Sequence, residues 1–171
     1  EAVRKAFPLF TGSFSLLVMD KTTLIALRDD CGIKPLSVGK LNEGFVVSSE
    51  TCTFSTIGAT FVKDVMPGEM VVFDERGMRS VLLTLSSRQR LDVFEFVYFA
   101  RPDSTLLGKS VYDVRRNCGR ELAKEAEILA DVVVPVPETA IPGAIGYSQQ
   151  SGIRFEMGLV KNRYIHRTFI E

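Results

Sequence analysis

The chain has 171 residues, of which 46% are hydrophobic and 25% are charged, and its formal net charge is zero. This composition is that of an ordinary globular protein of one or two small domains, and it excludes a disordered or fibrous chain. Lys plus Arg and Asp plus Glu both number 21, so no excess of positive charge favours a nucleic acid or an anionic membrane as a partner. No apolar run approaches the roughly 20 residues that span a bilayer, and we expect no membrane partner.

The three cysteines, Cys31, Cys52 and Cys118, are widely spaced and form no CxxC pair. An odd number in this arrangement is not typical of a disulfide framework or of a zinc site, so we predict a reducing, cytoplasmic setting. The sequence starts at Glu1 without an initiator Met or a secretory signal, and it stops at Glu171 without a tail pattern. We therefore expect it to be a piece of a longer chain.

The first half of the chain is predicted to be mostly β. Phe14–Met19 and Thr23–Leu27 flank the polar pair Asp20–Lys21, a pattern typical of a β-hairpin. Gly39 and Gly44 are expected to bracket the next turn. Further strands, separated by turns that contain Pro or Gly, are predicted over residues 45–49, 61–65 and 70–73.

After about residue 90 the hydrophobic period becomes that of a helix. Ser110 is suited to cap a helix N-terminus, with Asp113 three residues further on. Apolar residues then recur at steps of three and four, which predicts an amphipathic helix with one buried face. That face consists of Val111, Val114, Cys118, Leu122, Ala126 and Leu129.

The last third of the chain is predicted to alternate strand and helix. Residues 131–136 are apolar on both faces, as is typical of a strand in a parallel sheet covered by helices. A second helix over residues 140–151, closed by Gly152, leads to an extended segment over 154–160. This order of helix, strand, helix and strand indicates the beginning of a Rossmann-like domain.

Three features that could suggest catalysis are predicted to be structural instead. Cys31 stands in a Cys-Gly-Ile motif of the kind that starts glutamine-hydrolysing N-terminal-nucleophile enzymes, but its internal amide nitrogen cannot act as their general base. His166 is the only histidine and has no nucleophile motif to serve, so we predict a solvated loop residue. Asp29 and Asp30 are adjacent and are interpreted as turn residues.

Two segments near the end of the chain could bind an anion. Residues 137–139 follow a predicted parallel strand and open a helix, so backbone N–H groups there could meet a phosphate; an ordinary βα turn is the alternative. Residues 161–167 gather three cations around an aromatic residue, which fits either a polyphosphate-gripping loop or a solvated surface loop.

Several longer motifs resemble one enzyme family. Residues 28–36 and 47–50 are similar to the later part of a glutaminase domain. Downstream, the resemblance is to the glutamine phosphoribosylpyrophosphate amidotransferases, which begin de novo purine synthesis. The three segments that carry it are Phe94–Ser104, Asp131–Thr139 and Gly158–Tyr164, continued by Arg167–Ile170.

The resemblance implies an α+β fold followed by an α/β fold. Residues 1–88 would be the back half of an antiparallel N-terminal-nucleophile glutaminase domain. Residues 89–171 would begin a type I, Rossmann-like phosphoribosyltransferase domain. The chain is thus expected to be a central piece of an enzyme that transfers glutamine-derived ammonia to phosphoribosylpyrophosphate (PRPP), giving phosphoribosylamine, glutamate and pyrophosphate.

The resemblance also implies roles for individual residues. Free ammonia would mostly be protonated at neutral pH, so the family passes it through a dry internal channel between the two sites. The channel positions match Tyr98, Tyr164 and Ile170. The substrate-binding positions match Glu138, Thr139, Lys161, Arg163 and Arg167.

The chain departs from the family at both active sites. The family's nucleophilic Cys lies upstream of this sequence, its acidic PRPP motif lies downstream, and its Mg²⁺ ligands are expected outside this chain. No catalytic residue and no turnover are therefore expected from the chain alone. Asp92 falls near a position where some members carry an iron–sulfur ligand, and no cluster is expected.

The expected partners of the parent enzyme are PRPP, glutamine and inhibitory purine nucleotides, in a homo-oligomer. A noncatalytic nucleotide-binding or regulatory module of the same fold is the alternative.

Overall fold

The computed structural model describes residues 1–85 and 89–165 and has a mixed α/β architecture. The chain forms two compact units, which divide between Gly108 and Lys109. Residues 89–108 therefore lie in unit 1, whereas the sequence predicts a domain boundary after residue 88. The assignment of residues 1–88 and 89–171 to two functional domains stays a prediction. Within the described residues no helix is both long enough and apolar enough to cross a membrane.

Unit 1 (Glu1–Gly108) contains two antiparallel sheets and four short helical segments. The helical segments are α1 (Ala2–Ala6), α2 (Cys52–Ile57) and a π-helical turn (Glu95–Phe99), and a 3₁₀ turn (Phe7–Leu9) follows α1. The strands are β1 (Ser15–Met19), β2 (Leu24–Arg28), β3 (Ser37–Leu41), β4 (Gly44–Ser48), β5 (Thr60–Asp64), β6 (Glu69–Asp74), β7 (Gly77–Leu82) and β8 (Thr105–Leu106).

The larger sheet has the strand order β1-β2-β6-β7, and the predicted hairpin of β1 and β2 is confirmed. Successive residues of a strand point to opposite faces, and the burial follows this rule. Ala26 and Val71 join a buried cluster with Val38 of the smaller sheet, so the core lies between the two sheets. Leu27 and Met70 point to the other face, where Phe7 packs against them.

The smaller sheet has the order β4-β3-β5, and it corrects the expectation that Gly39 lies in a turn. Gly39 is inside β3, where a Cβ atom would come within 2.8 Å of the Phe54 ring. Because Gly39 has no side chain, the Phe54 ring can pack directly against the backbone of β3. Phe54 belongs to α2, a helix that the sequence analysis missed because its six residues are too few to show a helical period.

A buried arginine shapes the loop after β2. The side chain of Arg28 is 1% exposed, and its guanidinium donates to the carbonyl oxygens of Gly32 and Lys34, both at 2.8 Å, and of Val65 at 2.6 Å. Burial lowers the pKa of Arg28 from its ordinary value, and the nearby carboxylates of Asp29 and Asp64 oppose that shift.

The adjacent carboxylate completes the loop. Asp29 is fully buried and accepts hydrogen bonds from the N–H groups of Phe14, Cys31 and Ile33, at 3.3, 3.0 and 3.2 Å. Asp29 is thus more than the turn residue that the sequence predicted, because its carboxylate holds β1 and the loop together.

Unit 2 (Lys109–Glu171) is built on one strand–helix–strand element. Its strands are β9 (Lys109–Ser110), β10 (Val132–Val133) and β11 (Arg154–Phe155), and its helices are α3 (Val111–Glu125) and α4 (Ile141–Ser151). β10 and β11 pair in parallel, with α4 between them in the chain. The predicted cap is confirmed, since the Ser110 hydroxyl oxygen accepts from the Asp113 N–H at 3.2 Å.

The buried face of α3 differs from the predicted one. The residues that are buried are Val111, Arg115, Gly119 and Ala123, whereas Cys118 is exposed and Leu122 is 54% exposed. Two glycines explain the difference, since a Cβ atom on Gly119 would overlap the backbone of Gly143 in α4. A Cβ on Gly146 of α4 would overlap the Arg116 carbonyl in the same way. The close backbone approach of the two helices, not apolar periodicity, selects the face.

Replacing Arg28 by Met is predicted to lower the free energy of unfolding by about 3 kcal/mol or more, because three buried carbonyl groups lose a charged donor. Urea unfolding followed by circular dichroism measures the change. Arg79→Met, which removes an exposed ion pair with Asp74, is the control and should cost far less. Equal losses in the two variants would contradict the role given to Arg28.

Gly119→Ala is predicted to destabilise the chain by about 1–3 kcal/mol through overpacking against α4. At an open helix position the same substitution stabilises by about 1 kcal/mol, so the sign of the change is diagnostic. Thermal unfolding monitored by far-ultraviolet circular dichroism gives that sign. Cys118→Ala, one residue away on the exposed side of α3, is the control and should change little.

Candidate functional site

The first candidate region is the connection between β10 and α4 in unit 2. It leaves the carboxyl end of a parallel strand and opens a helix whose N-cap residue, Ala140, provides no side-chain hydrogen bond. Such a loop is where parallel α/β folds bind anionic ligands. The predicted strand, loop and helix are therefore present, although β10 covers two residues and the prediction covered six.

Glu138 and Thr139 lie in this connection. Glu138 is exposed, Thr139 is half-buried, and the peptide bond between Pro137 and Glu138 is cis. The carbonyl of Glu138 accepts a hydrogen bond from the Ile141 N–H at 3.3 Å, which joins the loop to the first turn of α4. An exposed carboxylate and a hydroxyl thus stand beside the helix N-terminus.

The second candidate region follows β11, whose carboxyl end lies at the same sheet edge as that of β10. Lys161 and Arg163 are both exposed there, and the Tyr164 N–H donates to the Asn162 side chain at 2.9 Å. Over residues 89–165, no hydrogen bond or ion pair joins these two cations to Glu138. His166, Arg167 and Ile170 lie outside the described residues.

Tyr98 lies on the π-helical turn of unit 1, and its ring is 48% exposed. It packs edge-on against Phe99 with the ring centroids 5.9 Å apart. Phe94, Val97 and Phe99 are also about half exposed, so this turn presents an aromatic surface. Tyr164 belongs to unit 2, and the joint role of Tyr98, Tyr164 and Ile170 stays a prediction.

A charged cluster that sequence reasoning missed holds the π-helical turn. The Lys34 ammonium lies 2.8 Å from an Asp92 carboxylate oxygen and 2.9 Å from a Glu95 carboxylate oxygen. The same ammonium lies 4.6 Å from the centroid of the Phe99 ring, a cation–π distance. The pairs are 58 and 61 residues apart, and no local pattern in the sequence joins residues at that separation.

The hydrogen bonds of the cluster shift the pKa of Lys34 and the pKa of Asp92 in the directions that favour their charged forms. Hydrogen bonds to Asp92 and then to Glu95 raise the pKa of Lys34 above its ordinary value, so its stabilisation is lost only as the pH rises through that raised pKa. The hydrogen bond from Lys34 lowers the pKa of Asp92, so the stabilisation from Asp92 is lost only as the pH falls through the lowered value. The Asp92 carboxylate is thus paired with Lys34. The expected lack of an iron–sulfur cluster stays a prediction.

Hydrogen bonds hold the chain on both sides of the π-helical turn: backbone carbonyls accept them before the turn, and mainly the Glu50 carboxylate accepts them after it. The N–H groups of Arg90 and Asp92 donate to the carbonyls of Cys31 and Ile33 at 2.8 and 2.9 Å. Beyond the turn, Glu50 accepts from the Arg101 N–H at 2.7 Å and the Ser104 hydroxyl at 2.9 Å. Thr51 accepts from the Thr105 N–H at 2.7 Å. These bonds explain why residues 90–105 belong to unit 1.

Ligand atoms of Asp29, Asp30 and Cys31 lie within 4.8 Å of one another, close enough to share a metal ion. The Asp29 oxygens already accept three backbone hydrogen bonds, and Mg²⁺ requires near-octahedral oxygen ligands. The residues do not fit that ion. Burial, followed by a hydrogen bond to Asp30, raises the pKa of the Cys31 thiol, which disfavours the nucleophilic thiolate.

Comparison with known proteins gives three concordant results. A glutamine amidotransferase domain family matches residues 1–56. Amidophosphoribosyltransferase of Bacillus subtilis is 40% identical over 171 residues, which are 100% of this chain and 36% of that protein. The Mycobacterium leprae enzyme is 47% identical over 171 residues, covering 100% of this chain and 31% of the relative.

The solved structures agree. Glutamine PRPP amidotransferase from B. subtilis, complexed with ADP and GMP, superimposes with a TM-score of 0.93 and 40% identity, covering 99% of this chain and 37% of that one. A structure described as the allosteric regulatory enzyme of purine biosynthesis gives a TM-score of 0.94 over 99% of this chain and 36% of its own. The resemblance found in the sequence is confirmed: the chain is homologous over its whole length to amidophosphoribosyltransferases, and it spans about a third of their length.

Proposed function

We propose that this chain is the part of an amidophosphoribosyltransferase in which glutamine hydrolysis is linked to the amination of PRPP. At one site water would cleave the glutamine side-chain amide, giving glutamate and ammonia. At the other, the ammonia lone pair would form the new C–N bond as the bond to pyrophosphate breaks, giving phosphoribosylamine. The observation that carries this proposal is the unbroken match of all 171 residues to these enzymes at 40% and 47% identity.

The proposed division of labour follows the two predicted domains. The glutamine amidotransferase match on residues 1–56 supports a glutaminase role for residues 1–88. The parallel β10-α4-β11 element supports a Rossmann-like phosphoribosyltransferase beginning within residues 89–171. Unit 1 ends at Gly108, so residues 89–108 would belong to the phosphoribosyltransferase domain by sequence. In the structure they pack with the glutaminase-like residues of unit 1.

PRPP would be held by the two segments at the edge of β10 and β11. Lys161, Arg163 and Arg167 would supply cations for its phosphates, since charge-assisted bonds to phosphate are strong. Thr139 would offer a hydroxyl and the start of α4 its backbone N–H groups. Glu138 is an anion and would not face a phosphate, so its carboxylate would instead accept a hydrogen bond from a hydroxyl of the ribose.

Ammonia would travel past Tyr98, Tyr164 and Ile170. An aromatic passage excludes water, and it would therefore keep the ammonia unprotonated and nucleophilic. The aromatic surface around Tyr98 on the π-helical turn supports this role for unit 1.

Other components of the proposed enzyme lie outside this chain. Mg²⁺ would accompany the pyrophosphate group and offset its charge, but none of its ligands is assigned to the described residues. Glutamine and PRPP would be substrates, and purine nucleotides would inhibit, in keeping with the ADP and GMP bound to the B. subtilis relative. We also propose a homo-oligomer in the cytoplasm.

The full-length protein that carries this segment is predicted to convert glutamine and PRPP into glutamate, phosphoribosylamine and pyrophosphate. Glutamate and pyrophosphate are measured by enzyme-coupled assays, and the isolated 171-residue chain should give neither. A full-length protein that binds purine nucleotides by calorimetry but releases no glutamate or pyrophosphate would contradict the proposal and favour a noncatalytic regulatory module.

Lys161→Ala and Arg163→Ala in that protein are each predicted to raise the KM for PRPP by about tenfold or more, the effect of losing a charged hydrogen bond. Steady-state kinetics at fixed glutamine measures the change. Lys124→Ala is the matched control, because Lys124 is an exposed cation of the same unit paired with Glu121. An unchanged KM for PRPP in both loop variants would show that Lys161 and Arg163 do not bind PRPP.

A further inference from the structure

We propose that Lys34 is a positioning residue that keeps the two half-reactions coupled by fixing the π-helical turn Glu95–Phe99. This inference rests on the proposed function, because it assigns Lys34 to the ammonia path through Tyr98. The direct observation is independent of it: one ammonium contacts a carboxylate before the turn and side chains at both its first and its last residue.

The contacts of Lys34 span the turn that carries Tyr98. Glu95 is its first residue and Phe99 its last, and Lys34 lies 2.9 Å from the Glu95 carboxylate and 4.6 Å from the Phe99 ring centroid. Asp92 adds a second carboxylate at 2.8 Å. A π-helical turn is rare and often lies at a functional site, and its shape has to be held by surrounding contacts. Lys34 supplies three such contacts from one side chain.

The position of Lys34 connects this turn to the glutaminase-like part of the unit. Lys34 lies in the loop that Arg28 shapes, and the Lys34 carbonyl accepts from the Arg28 guanidinium at 2.8 Å. Its backbone is therefore fixed on a buried residue while its side chain reaches the turn. A displacement of residues 29–36 would therefore displace the π-helical turn through Lys34. The position of Tyr98 would then depend on the conformation of the glutaminase-like part of the chain.

The burial of the side chains indicates that the cluster of Lys34, Asp92 and Glu95 holds the shape of the π-helical turn and contributes little to the stability of the whole unit. The side chain of Glu95 is 10% exposed, so its carboxylate depends on Lys34 for charge compensation. Lys34 and Asp92 are more open, at 38% and 28% exposure, where ion pairs add little to global stability. Loss of the ammonium is therefore expected to release the Glu95 end of the turn while the two sheets stay folded.

The test uses the full-length protein and compares Lys34→Met with Lys34→Arg. The measured quantity is the glutamate released per phosphoribosylamine formed, together with amination driven by added ammonium chloride. Wild type and Lys34→Arg should give a ratio near one, since an arginine retains the charge. Lys34→Met should release several-fold more glutamate than phosphoribosylamine and keep its ammonia-driven rate within about twofold, because only internal transfer is lost.

Two further measurements separate positioning from folding. Amide hydrogen exchange of residues 95–99 should accelerate in Lys34→Met and not in Arg79→Met, which removes an ion pair on the β6-β7 hairpin. If Lys34→Met does not fold, Asp92→Asn, which removes the more exposed carboxylate, should give the same direction of change in both exchange and ratio.

The outcomes discriminate clearly. A ratio near one in Lys34→Met, or parallel loss of glutamine-driven and ammonia-driven amination with unchanged exchange at residues 95–99, would overturn the inference. Absence of both products from the wild-type protein would instead overturn the proposed function, and the hydrogen-exchange comparison would still decide whether Lys34 positions the turn.

Discussion

The structure of unit 1 depends on the buried guanidinium of Arg28. Its bonds to the carbonyls of Gly32 and Lys34 hold residues 29–36 in a fixed loop, and its bond to the Val65 carbonyl ties that loop to the chain after β5. The Asp29 carboxylate joins the loop to Phe14, just before β1. The loop in turn presents the carbonyls of Cys31 and Ile33 and the ammonium of Lys34 to residues 90–95. The buried side chain of Arg28 thus helps to place the aromatic turn, because the contacts before and within that turn start from the loop that it shapes.

Unit 2 obeys a different constraint, namely backbone contact between two helices. Gly119 and Gly146 allow α3 and α4 to approach more closely than any side chain would permit, and α4 is thereby fixed over the parallel pair of β10 and β11. The loops that we assign to PRPP leave the carboxyl edge of this pair. The helices are in direct backbone contact, while Lys161 and Arg163 are exposed to solvent.

The sequence predicted the parts of this architecture that local patterns encode. The β1-β2 hairpin, the Ser110 cap and α4 ending at Gly152 follow from turn and capping chemistry, and they are confirmed. The buried face of α3 was predicted wrongly, because hydrophobic periodicity marks Cys118 and Leu122 whereas glycine contact decides the packing. The Lys34 cluster could not be predicted, since its members are joined only by the folded chain. The roles of the individual phosphate and channel residues came from family resemblance, and for Tyr98, Glu138, Thr139, Lys161, Arg163 and Tyr164, which the structure describes, it adds their exposure and the unit to which each belongs.

The central claim is that the segment belongs to an enzyme that passes ammonia internally from glutamine to PRPP. The most direct measurement supplies the full-length protein with glutamine labelled with ¹⁵N in its amide, in a buffer containing excess unlabelled ammonium. Mass spectrometry of the phosphoribosylamine, trapped as its next stable derivative, gives the isotope content. The account predicts that the product keeps the ¹⁵N of the glutamine; product diluted to the isotope ratio of the solvent ammonium would contradict it.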